Sequence, residues 1–195
     1  MRTAFLRQPM TAILAAFACA ALSTPAMAAD EGSVLFRAFK TFRIDTHAEP
    51  AAVQAAAAAA GAQPQMLPPP PAGLRNEAVW VVSLDGQSFK LRNWDMTEPG
   101  DLIYGVFHRS CQVLSPAGDD AGVAAARQWA GVAPDATTPN IYEFQVNGDA
   151  HTPKPSDPDA YSTTISRGVM WMLMVSPDPD RASLMLIHFV PAGSP

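Results

Sequence analysis

The chain has 195 residues, 16% of them charged, and a formal net charge of −5. An acidic chain without clustered Lys and Arg is poorly suited to neutralising phosphates, so nucleic acid is not an expected partner. Gly-rich phosphate loops are absent too, and no cofactor is expected.

The first 29 residues read as a secretory signal peptide. Arg2 and Arg7 supply the positive start, Ala12 to Leu22 the apolar stretch, and Ala26-Met27-Ala28 the small residues a signal peptidase reads. The apolar run falls short of the roughly 20 residues that cross a bilayer. Cleavage after Ala28 or Ala29 removes both arginines and takes the formal charge to −7. Residues 30–195 are then expected to form one domain, periplasmic or secreted, with no membrane span. Cys19 leaves with the signal, so Cys111 is the only thiol of the exported chain and no internal disulfide is open to it. A lone Cys in an oxidising compartment is buried, reactive or paired with another chain.

Val34, Leu35, Phe36, Phe39, Phe42 and Ile44 recur at helical spacing and lead into a turn. Glu49-Pro50 opens an Ala-rich helix, 51–60, which Gly61 stops. Residues 63–73 hold five prolines and read as an extended loop within the domain. Next, 78–84 and 87–94 flank Asp85-Gly86, a two-residue hairpin turn. Pairing across it sets Val82 opposite Phe89 and Trp80 opposite Leu91, so both strands agree on the core face. A third strand is expected at 102–114. A second helix follows at 120–130, with Asp119 as its N-cap and Gly131 as its stop. A fourth strand at 140–146 and a short helix up to Arg167 come next. The chain ends in a hairpin of 169–176 and 182–191.

The spacing predicts an α+β fold: an antiparallel sheet of five to six strands, two main helices and one short helix, with the helices on one face. The run from Val53 to Gly61 echoes Val123 to Gly131, with an acid four residues before each Val (Glu49, Asp119). That spacing allows a duplicated helix-then-strands unit, or two ordinary Ala-rich helices.

Three groups of residues are candidates for chemistry. Met170, Met172 and Met174 share one face of a strand, and a regular final hairpin sets Met174 against Met185 and Met172 against Ile187. Thioethers are soft ligands for Cu(I), but Met also fills gaps in cores. His188, opposite Trp171 in that register, is a structural histidine, a metal ligand or a base. His108 and Cys111 form a nucleophile pair only if they come within hydrogen-bond reach, and residues three apart on a regular strand point to opposite faces. Asp157-Pro-Asp159 and Asp178-Pro-Asp180 read as turn and cap chemistry.

The Phe-rich stretch from Phe36 to Thr46, the Ala-rich helix ending at Gly61, the hairpin, and Ser110-Cys111 before a Val-x-x-x-Arg-x-Trp helix together resemble a group of small exported bacterial proteins of no known activity. The resemblance implies a cysteine near the position of Arg43. Where it holds, this chain departs from the group and lacks a bridge from that region to Cys111.

Two function classes follow, with a third behind them. The first is a non-catalytic binding or interaction module whose partner is an envelope protein or a small ligand. It would use an uncovered sheet face or an edge strand. The second is a small hydrolase using Cys111 or His188. The third is a copper-handling protein using the methionine face, which requires solvent access to at least two of those sulfurs.

Overall fold

The structure, a computed structural model, describes residues 32–98 and 100–193. The stretch read as a signal peptide, Cys19 included, lies outside them.

The apolar 3.6-residue pattern after Ser33 folds as α1 (Val34–Phe39), which runs on into a π-helical turn at Lys40–Ile44. Ser33 caps α1 by accepting from the Phe36 N–H at 3.3 Å. Next comes α2 (Pro50–Ala59), with Pro at its start as expected. The strands β1 (Leu74–Leu84) and β2 (Gln87–Met96) meet at Asp85-Gly86, where both residues take positive φ, 51° and 77°. That turn matches the twist of the strands and fixes the register, Val82 with Phe89 and Trp80 with Leu91.

Here the chain departs from the expected third strand. Residues Asp101–Tyr104 form a helical turn, α3, ended by the left-handed Gly105, and β3 begins only at Val106 and runs to Leu114. The chain continues through α4 (Asp120–Ala130), β4 (Ile141–Asn147), β5 (Ala150–Pro153), α5 (Pro158–Ser166), β6 (Met170–Pro177) and β7 (Ala182–Pro191). The short β5, which hydrophobic alternation does not mark, raises the strand number from the expected five to six to seven. The sheet is antiparallel throughout, in the order β1-β2-β3-β7-β6-β4-β5.

One face carries Trp80, Val82, Phe89, Leu91, Cys111, Val113, Leu184, Leu186, Leu173, Val175 and Phe144. Leu35, Phe36, Phe39 and Phe42 from the N-terminal helix, Val53 and Ala57 from α2, and Val123, Ala125 and Ala126 from α4 close over it. Fully burying one such large side chain stabilises the fold by roughly 1.5–3 kcal/mol, so this layer is the main source of cohesion. Asp119 ties two of these helices together. It caps α4 by accepting from the Gly122 N–H at 2.7 Å, and it also accepts from Ser33 Oγ at 2.8 Å. At Gly122 a Cβ would lie 2.6 Å from Ser33 Oγ, so only glycine allows α1 and α4 to approach so closely.

The expectation that all helices share one face is corrected. Val106, Met170 and Phe189 point the other way and pack with Ile165 and Tyr161 of α5. Helix α5 therefore covers one end of the second face, because strand residues alternate and both sides of β6 and β7 are apolar. Helices α2 and α4 share a buried Val and a left-handed glycine stop. The strands after them are laid out differently: β2 lies beside β3, whereas β6 separates β4 from β7. Among the described residues no helix is long and apolar enough to cross a membrane.

Candidate functional site

The register divides the candidate residues between the two faces. Cys111 pairs with Asn93 on β2 and Leu186 on β7 and lies under the helices, fully buried. His108 points to the opposite face, where its Nε2 lies 2.8 Å from Asp101 Oδ1 and its ring packs edge-on against Phe189 at 4.7 Å. The fold thus separates His108 from Cys111 by the thickness of the sheet.

The charged neighbour of Cys111 is Arg43, delivered by the π turn. Its Nη1 donates to Cys111 Sγ at 2.7 Å, and its Nη2 donates to the carbonyls of Arg92 (3.0 Å) and Gln112 (2.9 Å). Asn93 Oδ1 also contacts the sulfur. Arg43 is fully buried. A signal for this was present in the sequence, since residue 43 falls four after Phe39 on the inward stripe. The resemblance placed a cysteine near this position, and the guanidinium here fills the space beside Cys111. Burial pushes the thiol up to about 12 against the pull of Arg43, so it is protonated at neutral pH. Burial also lowers Arg43, opposed by the pull of Cys111, but a guanidinium keeps its proton.

On the same face, a row of polar and aromatic side chains crosses the sheet. Cross-strand pairing sets Asp95 beside Arg109, Arg109 beside His188, and His188 beside Trp171. Arg109 Nε lies 3.4 Å from Asp95 Oδ1, and its Nη1 donates to the carboxylate of Glu49, which is half exposed at the start of α2. Asn76, in a bulge of β1, donates to Asp95 at 2.7 Å. The His188 ring stacks on Trp171 at 4.1 Å with 6° between planes, and its Nε2 lies 2.8 Å from the Gly168 carbonyl. That contact needs a proton on Nε2 and leaves Nδ1 with its lone pair. Among the described residues no hydrogen-bond partner meets the buried Nδ1. Desolvation lowers the His188 pKa, opposed by the Gly168 carbonyl, so the ring is neutral at pH 7. Sequence reasoning missed that Glu49 and Asp95 meet Arg109 beside His188, because the four residues come from four separate segments.

The second face holds the methionines. Met174 pairs with Met185 and Met172 with Ile187. Met170 is fully buried under α5, whereas Met172, Met174, Met185 and Ile187 are half-buried. Beside Met172 on β4, Glu143 binds Lys154 Nζ and accepts from Tyr161 Oη at 3.1 Å. Burial, then Glu143, pushes Tyr161 up to about 12, and the hydrogen bond to Glu143 raises Lys154 to about 12. This cluster is satisfied internally, so its carboxylate is not offered to a ligand. Among the described residues no three His, Cys, Asp or Glu side chains converge on a metal position.

No family model, curated protein or solved structure matches this chain.

Proposed function

We propose that this chain is an exported, non-catalytic binding or interaction module whose working surface is the open part of the second sheet face. One observation carries the reading. Helix α5 seals one end of that face, where Met172 packs against its cluster, and leaves Met174, Met185 and Ile187 only partly buried side by side on β6 and β7. A contiguous apolar patch on a sheet costs solvation free energy unless something covers it, and methionine suits a surface that must adapt to its partner. The partner is an envelope protein or a small ligand.

The test is photo-cross-linking in the exporting cell from position 187, with exposed Ala124 on α4 as the comparison. A discrete adduct from position 187 alone supports the reading. No adduct, or equal labelling from both positions, overturns it.

A second reading, a small hydrolase, rests on the unpartnered Nδ1 of His188 beside Arg109. A neutral imidazole with a free lone pair is the form a general base requires. Hydrolysis of a panel of simple esters, abolished by His188→Gln, would establish it; no turnover would remove it. The thiol version lacks the access a nucleophile needs, since Cys111 is sealed under the helices.

A further inference from the structure

We propose that Met172, Met174 and Met185 form a thioether site for Cu(I) on the open face, an inference that rests on that face being the binding surface. The four methionines of this hairpin are chemically alike but not placed alike. Met170 shows what a packing methionine looks like here, fully buried among Val106, Ile165 and Phe189. Met172, Met174 and Met185 lie on the same side of the same strands and are only partly buried, Met172 at the edge of that cluster and Met174 and Met185 beyond it.

The register brings them within reach of one ion. Directly opposed residues have Cβ atoms about 4.5–5.5 Å apart and diagonal ones about 7–8 Å, and a flexible thioether arm closes either gap. Met174 and Met185 are the opposed pair, and Met172 is two residues along from Met174. Softness sets the choice of ion. The carboxylate beside Met172, Glu143, is held by Lys154 and Tyr161 and is not free to ligate, which disfavours Zn²⁺ or Ca²⁺ there. Thioethers also suit an oxidising compartment, where thiols are lost to disulfides and a thioether cannot pair. Cys111, the thiol among the described residues, lies on the far side of the sheet.

The experiment is anaerobic competition for Cu(I) between bicinchoninate and the protein purified from its exporting cell. One Cu(I) per chain is expected. Met174→Leu and Met185→Leu are each expected to weaken binding by roughly tenfold or more, as loss of a metal-supporting group does. Met170→Leu and Cys111→Ser are expected to leave it unchanged. Near-UV circular dichroism of each variant separates loss of a ligand from loss of the fold. No competition with bicinchoninate, or an equal loss in Met170→Leu, overturns the site. Cross-linking from position 187 without copper is read separately. A partner seated there while Cu(I) fails to bind defeats this inference and leaves the binding-surface reading standing.

Discussion

Strands β6 and β7 contribute to both faces of the sheet, and the two faces have different fates. Leu184, Leu186, Leu173 and Val175 point under the helices and are buried. Met185, Ile187, Met172 and Met174 point the other way and are only partly buried. Composition alone does not separate the two sets, because each is apolar. What separates them is the cover: α1, α2 and α4 roof the first face, while the nine-residue α5 reaches only one end of the second. An apolar residue is structural or available according to what lies over it.

The sharpest way to break this comparison is to truncate neighbours on one strand. Leu186→Ala is expected to cost about 2–5 kcal/mol, the range for a cavity in a packed core. Met185→Ala is expected to cost less, about 1 kcal/mol, because its side chain is only partly buried. Urea denaturation of both variants reads the difference. Equal losses would mean the second face is covered in solution.

The next largest effect concerns the charged interior of the first face. Native Cys111 is expected to resist iodoacetamide and to react only at the rate of global unfolding. The folded thiol pKa stands above its unfolded value, so its contribution to stability is complete below pH 9 and is lost as pH rises toward about 12. The difference between wild type and Cys111→Ser across that window isolates it. A difference that does not change with pH would show that the thiol is not held protonated by burial.

A smaller effect of the opposite pH sense belongs to His188. Its folded pKa lies below the ordinary 6.5, so its contribution is present above that value and is lost as pH falls through and below it. His188→Gln is expected to flatten the acid limb of the stability curve. An unchanged acid limb would mean that other groups set it. The smallest effect is at the helix roof: Asp119→Ala is expected to cost about 1 kcal/mol through loss of the α4 cap. A thermal melt checks it, and no change would place the cap outside the cooperative unit.

Much of this fold was legible in the sequence wherever the signal is local. The Asp85-Gly86 hairpin, its register, the α4 boundaries and the Met174–Met185 pairing all follow from turn chemistry and side-chain period. Strand β5 was missed because four residues containing a proline carry no period to read. The start of β3 was placed too early because an apolar run before Gly105 does not distinguish strand from helical turn.

The candidate sites divide along the same line. The sequence by itself determined which side chains share a face: the methionines on one, Trp171 and His188 on the other, with His108 and Cys111 kept apart. A strand's two-residue period is a property of its own backbone. Only the tertiary structure decided that α5 crosses to the second face, that Arg43 meets Cys111, and that Glu49, Asp95, Arg109 and His188 line up across four segments. Those outcomes depend on strand order and on where each helix comes to rest, which are set by long-range burial rather than by any stretch of neighbouring residues.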